Sequence, residues 1–202
     1  MVSSNTPTLP LRERRTLRTK TEIQRCALEL FVAQGFEETT VAQVAAMAEV
    51  SAMTVFRHFP TKEDLVISDD FDDSLATRIR EARSERDLMR RIAGVLLSSL
   101  TATNQAERRL LYVRIDLATR TPALRARRYE NLHRSQEVIA ESIAGSNHVA
   151  RFRAAVAAGA CLSAISTAMF QWAADGGKGD MVAMVRRAFV SIGINLDRSE
   201  GR

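Results

Sequence analysis

Apolar residues recur at spacings of three and four along most of the chain, and no stretch alternates with period two. That pattern predicts an all-α protein of about nine helices. Ile23, Cys26, Ala27, Leu30 and Phe31 form one apolar stripe, which Gly35 ends in the place glycine takes after a helix. Thr40 and Gln43 have the spacing of a capping box, and Val41, Val44, Ala45 and Ala48 give the short helix that follows an apolar face. Val50-Ser51 makes a turn, and Ser51 caps a second short helix, 52–59, closed by Pro60. Thr61 is placed to cap a fourth helix whose first turn holds Lys62, Glu63 and Asp64. Further helices are predicted at roughly 62–81, 85–101, 105–119, 122–144, 148–174 and 180–195. Thr121-Pro122 supplies a cap and a first-turn proline, and Gly145 and Gly176-Gly177 are breaks.

Composition agrees with long helices: 46% of the 202 residues are hydrophobic, with only four prolines and nine glycines. Residues 1–10 are small and polar and read as a disordered lead-in, and 1–14 as a flexible basic arm. Two domains are expected, 15–65 and 66–202. The net charge of +5 is carried almost wholly by arginine, which suits a phosphate-bearing partner or simply a solvated surface. Residues 1–65 carry eight basic and eight acidic side chains, so net charge alone does not establish DNA binding. Cys26 and Cys161 lie in apolar helical contexts and read as reduced core residues of a cytoplasmic protein. Ala154–Ala174 is uncharged over 21 positions, but Ser163, Ser166, Thr167, Gln171 and many alanines make it a poor membrane span.

Two short helices joined by a tight turn and held on a longer one form a helix-turn-helix. The DNA major groove, about 12 Å wide, admits one helix, which a partner helix must brace. Ala45, Val50 and Val55 fit that bracing role. No glycine-rich phosphate loop or nucleophile elbow is present, and His58, His133 and His148 lack metal-ligand spacing. No enzymatic activity, cofactor or metal is expected. Asp69, Asp70, Asp72 and Asp73 around Phe71 lack a glycine turn and read as a solvated acidic loop.

The run Thr39–Ala46, continued by Val50–Leu65, closely resembles the tetracycline-repressor (TetR) family, with Leu28–Phe31 and Gly35-Phe36 where that family ends its first helix. The resemblance implies a homodimeric DNA-binding regulator, by family default a repressor. Thr40, Ser51, Thr54, His58 and Lys62 are then expected at phosphates, and Ala52, Met53, Val55 and Arg57 at the sequence readout. Only Arg57 can pair with guanine through two hydrogen bonds, while Ala52 and Met53 suit thymine methyls. Two positions depart from the pattern. Glu49 stands where the family has glycine, and Phe56 where it has tyrosine, which removes a hydroxyl donor to phosphate. These departures keep open an alternative: a helical ligand- or partner-binding protein with weakened DNA binding. The basic arm from Arg12 to Lys20 is a candidate for the minor groove.

For the second domain the resemblance implies a twofold dimer through helices near 148–174 and 180–195. Ala155, Ala158, Gly159, Leu162, Ile165 and Met169, with Val182, Val185, Phe189 and Ile192, are the expected contact face. A small-molecule effector is expected among the middle helices, with Met89, Leu96, Leu100, Tyr112, Ile115, Phe152 and Trp172 as candidate lining. Thr121–Arg127, with Phe59–Asp64 and Phe71-Asp72, resembles the subgroup that includes mycofactocin-system regulators, some of which respond to acyl-coenzyme A thioesters. Arg120, Arg125, Arg127, Arg128 and Arg134 are candidates to hold the phosphates of such a ligand. The resemblance further implies that the free dimer holds its recognition helices one DNA turn apart, about 34–36 Å, and that an effector moves the fourth helix, beginning near Lys62.

Overall fold

A computed structural model of the chain describes residues 11–67, 73–83, 85 and 87–196. The regular structure among these residues is helical: α1 (Leu11–Gln34), α2 (Val41–Met47), α3 (Ala52–His58), α4 (Asp73–Glu81), α5 (Leu88–Thr101), α6 (Gln105–Arg120), α7 (Pro122–Ala144), α8 (His148–Ala174) and α9 (Met181–Ser191), with a 3-10 turn at Glu63–Leu65. The chain divides into two compact units, one ending at Val66 and one beginning at Ile67.

In the first unit α2 and the 3-10 turn pack on α1, and α3 packs on α2. Ile23, Cys26, Leu28, Phe31, Val44, Val55, Phe59 and Leu65 are buried together. Leu28, rather than Leu30, completes the stripe of α1; Leu30 is half-buried. The helix runs back to Leu11, so Arg12, Arg14, Arg15, Arg18 and Lys20 stand on a helix and not on an extended arm. The reason is local: from 11 to 34 the chain holds strong helix formers and neither proline nor glycine. Residues 1–10, expected to be a disordered lead-in, lie outside the described residues, as do Asp69, Asp70, Phe71 and Asp72.

The second unit is built around α8, which packs against α7, α9, α5 and α6. Hydropathy alone would let α8 cross a membrane, but Ala154, Ala158, Leu162, Ile165, Met169 and Trp172 are buried among its neighbours. It is a core helix. Cys161 lies in this core, where burial pushes its thiol up to about 12. Both cysteines are free.

Caps set most helix boundaries. Asp87, Asn104, Asn147 and Asp180 each accept a backbone N–H in the first turn of α5, α6, α8 and α9. Asp87 therefore starts α5 at Leu88, three residues later than periodicity suggested. Gly193, at φ +84°, ends α9 earlier than expected. The helix predicted from 62 to 81 becomes a single 3-10 turn and, after residues outside the described set, α4. Thr61 and Asp64 exchange caps across that one turn: Thr61 N donates to Asp64 Oδ2 at 2.9 Å and Asp64 N to Thr61 Oγ1 at 3.3 Å.

Candidate nucleic-acid interface

The helix-turn-helix is fixed by reciprocal caps. Thr40 Oγ1 accepts from Gln43 N at 3.2 Å while Gln43 Oε1 accepts from Thr40 N at 2.8 Å, which is the capping box the sequence predicts. Gln34, at the end of α1, donates to both Gln43 Oε1 and Thr39 Oγ1 at 3.2 Å, tying α2 to α1. The end of α2 is a Schellman motif: Glu49 N donates to Ala46 O at 3.2 Å and Val50 N to Ala45 O at 2.9 Å. That geometry puts Glu49 at φ +53°, the left-handed region, and it is the one non-glycine residue so placed among those described. A glycine would adopt this conformation without the Cβ penalty.

Ser51 caps α3, accepting from Thr54 N at 3.1 Å, and its hydroxyl lies 2.9 Å from that of Thr54. Two of the expected phosphate contacts are thus brought together. Val55 is fully buried and faces the bracing helices. At 100° per residue, Ala52, Met53, Phe56 and Arg57 fall on the opposite side and are exposed, Met53 to 76%. Val55, expected among the readout positions, cannot reach a base; it is the brace.

His58 is half-buried at the end of α3. Burial, then Arg57 and Lys20, push its pKa below the ordinary 6.5, so the imidazole is neutral near pH 7. Lys62 does not sit at the start of a long helix. Its Nζ donates to Glu37 O at 3.1 Å and lies 4.4 Å from the centroid of the Phe36 ring. Phe36, Glu37 and Gln34 were not singled out by sequence reasoning, because their partners lie across a turn and no spacing rule connects them.

In the second unit the expected lining residues mostly pack against each other. Leu96, Ile115 and Trp172 are buried, and Met89, Leu100 and Tyr112 pack against the same core. Tyr112 meets Trp172 edge-on at 6.0 Å. Phe152 is 71% exposed and lines no interior space in the chain. A cleft of about 440 Å³ lies instead between α6, α7 and α8, lined by Thr119, Arg125, Arg128, Phe170 and their neighbours. The expected dimer face is likewise redistributed. Ala158, Leu162, Ile165, Met169, Val185 and Phe189 are buried within the chain. Gly159 admits Gln136 of α7, whose amide lies 3.2 Å from where a Cβ would be.

A capped two-helix reader braced by a third helix, joined to a separate all-helical unit, defines the class of one-component helix-turn-helix regulators. The family described as bacterial regulatory proteins, tetR family, matches residues 23–68, and the MftR C-terminal domain matches 86–197. The chain belongs to the TetR family, whose members are regulators and not enzymes. Among curated relatives, the HTH-type transcriptional regulator TcmR of Streptomyces glaucescens is 34% identical over 142 residues. That match covers 66% of this chain and 62% of TcmR, so the chain spans less than two thirds of that relative's length. Among solved structures, the chain shares its fold with NalD, the secondary repressor of the MexAB-OprM efflux pump in Pseudomonas aeruginosa. There the TM-score is 0.52 at 19% identity, covering 89% of this chain and 96% of NalD. FadR of Bacillus subtilis, solved in complex with stearoyl-CoA, gives a TM-score of 0.52 at 19% identity, covering 84% of this chain and 95% of that one.

Proposed function

We propose that the protein is a cytoplasmic, homodimeric DNA-binding transcription regulator, a repressor released from a palindromic operator by a small hydrophobic effector. The observation that carries this reading is the two-sided character of α3: Val55 is locked inside while Ala52, Met53, Phe56 and Arg57 are presented to solvent. Thr40, Ser51, Thr54, His58 and Lys62 serve as phosphate contacts, Arg57 as the base-reading donor, and Ala52 and Met53 as apolar contacts to thymine methyls. To reach a phosphate, Lys62 exchanges the Glu37 carbonyl and the Phe36 ring for the anion. Phe56 contributes surface but no donor.

A palindrome needs two copies. The apolar surface left open on the chain supports the face they use: Val149, Phe152 and Val156 at helical spacing on α8, and Val190 on α9, are each more than half exposed. An effector of acyl-coenzyme A type is supported by the MftR C-terminal domain match over 86–197.

The test is titration of the purified protein onto its own upstream intergenic DNA at several salt concentrations. Sequence-dependent binding that weakens steeply with salt is expected, because phosphate contacts release counterions. Loss of that binding in Arg57→Ala, with fold retained, is the second expectation. No binding even at low salt would favour a helical ligand-binding protein instead.

A further inference from the structure

The arginines that the sequence gathers between 120 and 134 are sorted by the structure. Arg120 pairs with Asp116 at 2.9 Å and Arg127 with Glu130 at 3.1 Å. Arg125 and Arg128, one turn apart on α7, line the cleft between α6, α7 and α8. No carboxylate lines it; the remaining walls are Thr119, Ser163, Ser166 and Thr167, with Leu132, Tyr129 and Phe170. The guanidinium of Arg128 lies 4.3 Å from the Phe170 ring centroid. Stacking of this kind fixes the plane of the fork and leaves its edge N–H groups available to an anion. The Thr119 and Thr167 hydroxyls donate to carbonyls of their own helices, so their oxygens can still accept.

We infer that this cleft, and not the packed interior around Trp172, takes the anionic head of an amphipathic ligand: a phosphate or carboxylate between Arg125 and Arg128, with an apolar body along Leu132 and Phe170. Two guanidinium groups and no acid in a half-sheltered site select an anion, since a bidentate pair gives both charge and geometry. The aromatic and aliphatic wall selects an apolar body. A volume of about 440 Å³ is of the size that holds a small organic ligand. The inference rests on the regulator reading only for its consequence, which is that such a ligand is the effector.

The experiment uses the full chain and isothermal titration with octyl phosphate, octanoate and neutral octanol. The first two separate a phosphate from a carboxylate head. Either anion is expected to bind once per chain and octanol to bind much more weakly. In the double variant R125Q/R128Q the affinity falls by at least about tenfold, the loss expected of one charge-assisted contact. In R120Q/R127Q, which removes the same charge outside the cleft, it is unchanged. Circular dichroism and sedimentation accompany each variant. Equal losses in the two double variants, failure of both anions to bind, or dissociation of R125Q/R128Q into monomers would each overturn the assignment, the last by showing the cleft to be a seam between subunits. DNA affinity is read separately by fluorescence anisotropy without ligand. Its absence would sink the regulator reading and leave the anion site standing.

Discussion

Glu49 and His58 show how far single residues set the behaviour of the reader. Glu49 closes α2 with a positive φ and carries a negative charge on an exposed turn next to α3. A left-handed conformation costs a non-glycine residue about 1 kcal/mol. Glu49→Gly is therefore expected to raise stability by about that amount in thermal unfolding. It also removes a repulsive carboxylate, so DNA affinity rises in the same variant; a lower melting temperature would show that the turn is not strained. His58 is held neutral in the free protein, chiefly by burial and then by Arg57 and Lys20. A DNA phosphate would stabilise the imidazolium, so its pKa is higher in the complex than in the free chain. Binding then takes up a proton, and affinity increases as pH falls through the window around the ordinary value of 6.5. His58→Gln flattens that pH dependence, as anisotropy titrations between weakly acidic and weakly basic pH would record. An unchanged slope in the variant would mean that His58 does not meet phosphate.

At the scale of elements, the ends of α8 explain why its length and neighbours are fixed. Asn147 caps its start, and a second Schellman motif ends it, with Gly177 N donating to Trp172 O at 3.0 Å. Gly177 has φ +70°, and a Cβ there would fall 2.7 Å from Cδ2 of Tyr112. Tyr112 in turn stands edge-on to the buried Trp172. Gly177→Ala thus combines backbone strain with overpacking and is expected to destabilise the second unit by roughly 2 kcal/mol or more. Thermal unfolding checks this; a neutral effect would mean that Tyr112 yields freely. The same packing explains why Tyr112 and Trp172, good pocket candidates by composition, act as core here.

At the scale of the whole molecule, the open question of assembly is decided by which apolar residues the single chain leaves uncovered. Val149, Phe152 and Val156 continue one stripe of α8 that no element of the same chain covers, and Val190 adds to the open apolar surface on α9. Phe152→Glu is expected to convert a dimer into monomers in sedimentation while leaving helical content intact. DNA affinity then falls sharply, because the two readers no longer act as one. A dimer of unchanged mass would place the interface elsewhere.

The sequence by itself determined the secondary structure and the reader. Helix periodicity, the Thr40/Gln43 and Ser51 caps, Pro122 and Gly145 are local devices, and each acts within about one helical turn. For that reason α2, α3, α7 and α8 stand within a residue or so of where the pattern puts them. The exposed face of α3 is legible for the same reason, since one buried valine fixes the rotation of a short helix. Only tertiary structure decided which apolar faces are core and which are open. Periodicity marks Leu162 and Phe152 alike as apolar; packing of α7, α9 and α5 against α8 buries the first and exposes the second. The cleft was half visible as an arginine cluster. Pairing of Arg120 and Arg127 with carboxylates, and the arrival of Phe170 from α8 beside Arg128, single out two of those arginines. Such contacts join residues tens of positions apart, and no spacing along the chain encodes them.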